Sequence, residues 1–108
     1  MELNKYQKEA LKTAFFTGDD SVTYAALGLA GETGEFVEQV KKGWRDDDQK
    51  ITMERREAMI KELGDILWYL SLAAHLLMTD LDTVAKVNLE KIKDRENRNV
   101  QRGSGDNR

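Results

Sequence analysis

Two pairs of acidic residues are the feature of this sequence best suited to chemistry. Glu32 and Glu35 form the first pair, Glu62 and Asp65 form the second, and each pair has a three-residue spacing. On an α-helix this spacing puts both carboxylates of a pair on one face, about one turn apart. If two such helices pack side by side, the four carboxylates repel one another unless a cation lies between them. The pattern therefore predicts a metal site.

Acid pairs of this kind are also common on exposed helices, where they are simply solvated. That explanation is weaker here because both pairs border an apolar stripe and lie in mid-helix, away from helix caps and dipole ends. Three glycines, Gly31, Gly34 and Gly64, stand beside the acids. Glycine inside a helix costs about 1 kcal/mol relative to alanine, so these positions indicate close helix approach or room for a ligand.

The available ligands indicate the type of metal. The sequence has no cysteine, which excludes zinc sites built on thiolates. Di-iron bundles use Glu-x-x-His pairs, in which an acid lies three positions before the histidine. The only histidine here, His75, has no acid at that position. Ligands that are all oxygens favour Mg²⁺, with Mn²⁺ as the alternative. In proteins these ions ordinarily act on phosphates.

A polar face on the last predicted helix suits such a substrate. Asn88, Lys91 and Arg95 follow one another at steps of three and four, so their side chains point the same way. They could clamp phosphate oxygens. The ordinary alternative is a solvated helix face with one or two salt bridges.

Further candidates for substrate binding lie near the end of the second predicted helix. Lys41 and Lys42 complement the helix dipole there, which is a sufficient reason for them, and they could also reach terminal phosphates. Trp44, in a polar stretch, is the better candidate for stacking on a base. Trp68 and Tyr69 lie in an apolar stripe and are expected to be core or dimer contacts.

Helices must position these side chains, and the composition favours helices throughout. The chain has no proline and is rich in helix formers, which predicts an all-α fold. The apolar periodicity predicts four helices, over residues 3–16, 21–42, 52–78 and 83–95. Their expected boundaries are a stop and cap at Thr17-Gly18-Asp19-Asp20 or Ser21, a break at Gly43 and a cap at Asp82.

The third predicted helix carries more apolar surface than one chain can cover. Its main stripe, expected to face the core, consists of Ile60, Leu63, Leu67, Leu70, Ala74 and Leu77. From Ile66 onward the helix is apolar nearly all round, and four short helices offer too little cover. We therefore expect a homo-oligomer. In the fourth helix, Ala85, Leu89 and Ile92 are expected to face the core.

Composition limits the remaining choices. The 108 residues are 40% hydrophobic and 34% charged, which predicts one globular domain over residues 1–95 and a flexible C-terminal tail over 96–108. A net charge of −3 gives no general attraction to nucleic acid polymers. The start does not resemble a secretory signal, and no apolar run is long enough to span a membrane. A cytoplasmic location is the default expectation.

Taken together, these motifs resemble a known family. Residues 28–35 (GLAGETGE), residues 62–69 (ELGDILWY) and the run Asn88-x-x-Lys91-x-x-x-Arg95 are similar to the MazG-like branch of the all-α nucleoside triphosphate pyrophosphohydrolases. The resemblance covers most of the chain. It implies a compact four-helix bundle that forms a homodimer or a dimer of dimers. It also implies hydrolysis of an NTP or dNTP, between the α and β phosphates, to a monophosphate and pyrophosphate.

The resemblance also implies roles for individual residues. Mg²⁺ would be bound by the four acids Glu32, Glu35, Glu62 and Asp65. Lys91 and Arg95 would hold phosphates, and Asn88 would position the nucleotide or a ligand carboxylate. We also hypothesise that one carboxylate takes a proton from the attacking water, with Glu35 as one candidate. Glu38, one turn beyond Glu35, is the candidate for that base or for a further metal ligand.

Two alternatives remain open from the sequence. The chain could be a helical interaction module whose apolar third helix binds a partner and whose acids are only solvated. It could also be a metal-binding bundle without turnover.

Overall fold

The computed structural model of the chain describes residues 1–14 and 21–108. These residues form helices α1 (Leu3–Leu11), α2 (Val22–Asp46), α3 (Met53–Leu76) and α4 (Leu81–Asn97). The described part of the chain contains no β-strand, so the prediction of an all-α fold with four helices is confirmed. None of the helices among these residues is long and apolar enough to cross a membrane.

Helix α1 is shorter than predicted. It ends at Leu11, after which the Thr13 hydroxyl donates a hydrogen bond to the carbonyl of Ala10 at 2.6 Å. A threonine that bonds its own backbone in this way competes with continued helix. The remainder of the predicted helix, and the predicted stop and cap at residues 17–20, fall within residues 15–20 and so lie outside the described residues.

Helix α2 begins where the sequence predicts and ends later. The Ser21 side chain caps it by accepting a hydrogen bond from the Tyr24 amide at 3.4 Å. The predicted break at Gly43 is wrong, because the helix continues through this residue to Asp46. The turn that follows is made by Asp48 and Gln49, whose φ angles of 55° and 63° reverse the chain.

Gly43 allows α2 and α3 to pack closely and does not end α2. It is buried, and a Cβ atom there would lie 3.5 Å from both the Arg55 side chain and the Lys50 carbonyl. Arg55 also ties the two helices together: it donates to Asp47 at 3.0 Å and to Gln39 at 3.1 Å. Close approach at Gly43 therefore lets α3 begin directly against the end of α2.

Helices α2 and α3 form an antiparallel hairpin. Gly43 faces Arg55 at the turn end, and Gly28 faces Tyr69 at the open end. As predicted, α3 begins at about Thr52, whose side chain caps it by accepting from the Arg55 amide at 3.1 Å. The helix ends at Leu76, two residues before the predicted end, and Met78 turns the chain with a φ of 58°.

Helix α4 starts and ends outside the predicted limits. Its cap is Asp80, which accepts from the Thr83 amide at 2.8 Å, so the prediction of Asp82 as the cap is wrong. Asp82 lies in the first turn and forms an ion pair with Lys86 at 3.0 Å. The reason is that Leu81 is buried and begins the helix, which moves the cap back to the residue before it.

A buried glutamine joins α1 to α3 and α4. Gln7 donates through Nε2 to the Ser71 carbonyl at 3.0 Å and accepts through Oε1 from the Leu81 amide at 3.1 Å. Next to it, Asn4 accepts from the Asp82 amide at 3.0 Å. Leaving such a buried backbone group without its partner costs about 1–3 kcal/mol, so Gln7 fixes where α4 leaves the hairpin.

The apolar core of one chain is small. Its buried hydrophobic members among the described residues are Ala10, Ala25, Leu72, Ala74 and Leu81. In the predicted stripe of α3, Ala74 is buried, whereas Ile60, Leu63, Leu70 and Leu77 are 39–61% exposed. On α4, Leu89 and Ile92 are 65% and 47% exposed, so their predicted core positions are wrong for the single chain. A homo-oligomer, which would cover such surface, stays a prediction.

The contact between Gly28 and Tyr69 generates a test of the hairpin. A Cβ atom at Gly28 would overlap the Tyr69 ring, so Gly28→Ala should lower the free energy of unfolding by about 1–3 kcal/mol. This loss should exceed the gain of about 1 kcal/mol that alanine brings to a helix. Urea unfolding followed by circular dichroism measures the change.

Gly31→Ala is the matched control. Apart from adjacent residues and the helix's own backbone, no described atom lies within 4 Å of a Cβ at Gly31, so this variant should be as stable as the wild type or more so. Equal stability of the Gly28 and Gly31 variants would contradict the register assigned to α2 and α3.

Candidate functional site

Three of the predicted metal ligands converge at the middle of the α2–α3 hairpin. Glu32 comes from α2, and Glu62 and Asp65 come from α3. One carboxylate oxygen from each lies within 4.8 Å of the others, and we call this group the acid cluster. Glu32 and Glu62 are half-buried, and Asp65 is exposed. The antiparallel register makes the cluster, because it brings Glu32 to the level of the two acids on α3.

Glu35, the fourth predicted ligand, lies beside the acid cluster instead of within it. It is exposed, one turn after Glu32 on α2, and its negative charge raises the pKa of Glu32. The neighbouring glycines leave open space: apart from adjacent residues and the helix's own backbone, no described atom lies within 4 Å of a Cβ at Gly31, Gly34 or Gly64. Within one chain they do not serve close helix approach, which leaves the other expectation, room for a ligand.

The electrostatics of the acid cluster are unfavourable when it stands alone. Burial raises the pKa of Glu32 above its ordinary value, and the negative charges of Asp65, Glu62 and Glu35 raise it further. The close approach of the Glu62 carboxyl to that of Glu32 acts in the same direction. A proton or a cation in the cluster would relieve this repulsion.

Three tyrosines, none of them predicted to be a site residue, interact with acids of the cluster or with one another. Burial raises the pKa of Tyr69, and so do a hydrogen bond with Tyr24 and the charges of Glu32 and Asp65. The pKa of Tyr6, on α1, is raised by burial and by the charge of Asp65. The two rings of Tyr24 and Tyr69 lie 6.3 Å apart.

For two of these tyrosines, the number of residues that separates them from the acids in the sequence already indicates that they share a helix face with an acid. Tyr24 and Gly28 precede Glu32 at steps of four, and Tyr69 follows Asp65 by four, so each lies on the face of its acid. Tyr69 and Trp68 are half-buried, with their rings edge to face at 5.0 Å. Trp68 also donates from Nε1 to the Thr13 hydroxyl at 2.9 Å, which ties α3 to the end of α1.

The predicted phosphate-binding face lies on α4. Asn88 and Lys91 line a groove of about 340 Å³ together with Val84 and Val87. Arg95 is buried at the end of this face. Among the described residues α4 packs against α1 and α3 and has no contact with α2, so one chain does not bring this face onto Glu32.

Two comparisons with known proteins found a match. Residues 21–100 match the MazG nucleotide pyrophosphohydrolase domain, and they include the acid cluster and the polar face of α4. The chain belongs to the MazG nucleotide pyrophosphohydrolase family. It is 41% identical over 114 aligned residues to the Gene 37 protein of Mycobacterium phage L5, with all of both chains covered. That name states no activity. No solved structure matches the chain.

The acid cluster fits the metal dependence expected of a MazG domain. Two oxygens bound to one Mg²⁺ are at most about 4.2 Å apart, twice the metal–oxygen distance. Oxygens within 4.8 Å of one another reach this spacing by small side-chain rotations. The donors are all carboxylates, and a cation would relieve the repulsion that raises the pKa of Glu32. Glu32, Glu62 and Asp65 are therefore the residues that would hold the ion.

The remaining candidate residues lie on α2, nearer the turn end of the α2–α3 hairpin. The Glu38 carboxylate accepts a hydrogen bond from Lys41 Nζ at 2.9 Å, which lowers the pKa of Glu38. Lys42 is half-buried, and its charge lowers the same pKa further. Trp44 is 65% exposed. It lines an apolar cavity of about 270 Å³ with Phe36, Val40, Ile51 and Met59, among others.

The repulsion within the acid cluster yields a stability prediction. Glu32→Gln should raise the melting temperature of the chelator-treated protein by a few degrees at pH 7, because it removes one of the repelling charges. Mg²⁺ should raise the melting temperature of the wild type and leave that of the variant nearly unchanged. Calorimetry at several pH values measures both effects.

The pH dependence of this difference has a definite sign. Below the ordinary Glu32 pKa of 4.5 the carboxyl is protonated whether the chain is folded or unfolded, so wild type and variant should melt alike apart from local packing. The cost to the folded wild type develops as the pH rises through the raised pKa. Glu9→Gln is the control, since Glu9 pairs with Lys12 at 3.0 Å and its loss brings no gain. A Glu32→Gln protein that melts below wild type at pH 7 without metal would contradict the assignment.

Proposed function

We propose that this chain hydrolyses nucleoside or deoxynucleoside triphosphates between the α and β phosphates, with release of the monophosphate and pyrophosphate. The observation that carries the proposal is the acid cluster, three carboxylates from α2 and α3 held within 4.8 Å of one another in a MazG domain. Solvated acids have no reason to converge on a half-buried helix interface, where their repulsion costs stability.

The metal of the proposed reaction is Mg²⁺, with Mn²⁺ as the alternative. Bound at Glu32, Glu62 and Asp65, it would neutralise phosphate oxygens and lower the pKa of a water molecule. Because the three carboxylates come from α2 and α3, the site lies between these two helices. The Tyr69 ring packs on Gly28, one turn before Glu32, and so borders the site on that side.

Glu35 is the stronger of the two candidates for the general base. It lies one turn from Glu32, outside the acid cluster, and is exposed to solvent. Glu38 is engaged with Lys41, and its lowered pKa makes its carboxylate a weaker proton acceptor. Glu35 would therefore take the proton from the attacking water, and Glu38 would position Lys41.

Substrate binding uses the remaining polar residues. Lys91 and Arg95 would hold the phosphates, with Asn88 beside them and Lys42 near the terminal phosphate. Trp44 and its apolar cavity lie on the same hairpin as the acid cluster and suit a nucleobase.

A second copy of the chain would complete this arrangement. Because α4 does not contact α2 among the described residues of one chain, we infer that a partner brings the basic face to Glu32. The exposed apolar stripe of α3 provides the surface for a homodimer or a dimer of dimers. A single-chain mass by sedimentation, at concentrations where the protein is active, would contradict this part of the proposal.

The activity is tested with purified protein, Mg²⁺ and a panel of NTPs and dNTPs, with pyrophosphate and monophosphate as the measured products. Glu35→Gln should lower kcat by about 10²-fold to 10⁴-fold, the contribution expected of a general base. Glu38→Gln is the matched variant and should lose far less. Absence of pyrophosphate release with every nucleotide would contradict the proposal and favour an interaction module. Release that survives Glu35→Gln but not Glu38→Gln would reassign the base.

A further inference from the structure

The segment that follows α4 folds back on itself into a hook, residues 100–108. The Arg108 guanidinium closes it by donating to three carbonyl oxygens of the hook, those of Val100, Gln101 and Gly105, at 2.8–3.2 Å. Arg98, just after α4, donates in turn to the Arg108 carbonyl at 2.7 Å. The hook begins at the last of the matched residues 21–100, so nearly all of it lies outside the matched MazG domain.

Two glycines allow the shape of the hook. Gly103 has a φ of 136° and Gly105 a φ of 82°, both in the range that side chains disfavour. At Gly103 a Cβ atom would also approach the Arg108 side chain to 3.0 Å. The sequence Gly103-Ser104-Gly105-Asp106 therefore permits a tight return that brings Asp106 back over α4.

Asp106 binds the two basic side chains to which the proposed function assigns phosphates. Its carboxylate lies 2.9 Å from Lys91 Nζ and 3.3 Å from Arg95 Nη2. Arg95 Nη2 also donates to the Asp106 carbonyl at 3.0 Å. The hydrogen bond from Lys91 and the positive charges of Lys91 and Arg95 lower the pKa of Asp106, so it is a carboxylate at neutral pH. A phosphate oxygen accepting from the same two nitrogens would occupy the same place.

Arg95 retains hydrogen-bonding capacity that the hook does not use. Its side chain is 10% exposed beneath the hook, and its Nε has no hydrogen-bond partner among the described residues. A buried donor without a partner is costly. One carboxylate presents two oxygens, whereas a polyphosphate presents many and could satisfy this donor as well.

We propose that the hook is an autoinhibitory strap, in which Asp106 occupies the anion site of Lys91 and Arg95 and must leave before a polyphosphate enters. This inference rests on the proposed function, which gives these two residues the substrate phosphates. The ion pair of Lys91 with Asp106 and the hydrogen bond from Arg98 to Arg108 are exposed, and exposed ion pairs are weak, so opening is reversible. Because the carboxylate is tethered to α4, its effective concentration is about millimolar, enough to compete with a free anion.

The test measures binding of inorganic tripolyphosphate to the full chain without metal, by isothermal titration calorimetry. Asp106→Asn should bind it about threefold to tenfold more tightly than wild type, because the competing charge is gone. Gly105→Ala should act in the same direction by straining the hook at its positive φ. Asp82→Asn is the control, since Asp82 pairs with Lys86 at the other end of α4 and should leave the affinity unchanged. Lys91→Met should remove most of the binding.

A second readout follows the hook directly. In the wild type, the NMR signal of the Gly105 amide should move on addition of tripolyphosphate toward its position in Asp106→Asn. Equal affinities of wild type and Asp106→Asn, or no binding by either, would overturn the strap.

The outcomes separate this inference from the proposed function. If nucleotides are hydrolysed but Asp106→Asn changes neither the tripolyphosphate affinity nor KM, the strap alone fails. If no nucleotide is hydrolysed yet Asp106→Asn binds tripolyphosphate more tightly, the strap stands as an anion gate and the hydrolase alone fails.

Discussion

Mutual repulsion among Glu32, Glu62 and Asp65 is the constraint on which the structure of this protein turns. The fold brings the three carboxylates together and raises the pKa of Glu32, so the apo hairpin carries a cost that only a positive charge relieves. Packing at the two ends of the hairpin offsets this repulsion. Gly28 accepts the Tyr69 ring at one end, and Gly43 accepts Arg55 at the other.

Both contacts also determine the register of the hairpin, and the register determines the site. A shift of α3 by one residue along α2 would rotate its acids away from Glu32 by about 100°, since a helix turns once every 3.6 residues. Stability and function are therefore linked at the same residues. Gln7 extends the arrangement by fixing the point where α4 departs, so the basic face of α4 has a defined direction relative to the hairpin.

Sequence periodicity was sufficient to predict the helices and the acid pairs, because both depend on local spacing. It was insufficient wherever a tertiary contact decided the outcome. Gly43 was expected to end α2, but Arg55 packs on it and the helix continues. Asp82 was expected to cap α4, but burial of Leu81 moved the cap to Asp80. Of the four acids, spacing could not show that Glu35 stands outside the acid cluster, since that depends on the register. The contact between Asp106 and Arg95 was equally hidden, because it requires two glycines at positive φ far along the chain.

The central claim is that the acid cluster is a divalent metal site, and Mn²⁺ provides the most direct measurement because its free and bound forms differ in electron paramagnetic resonance. Titration of Mn²⁺ into the wild-type chain should show loss of the free-ion signal until each chain holds at least one ion. Asp65→Asn should bind Mn²⁺ much more weakly, while Asp94→Asn, at an exposed ion pair with Arg98 on α4, should titrate like the wild type. Indistinguishable titrations of the wild type and Asp65→Asn would contradict the account.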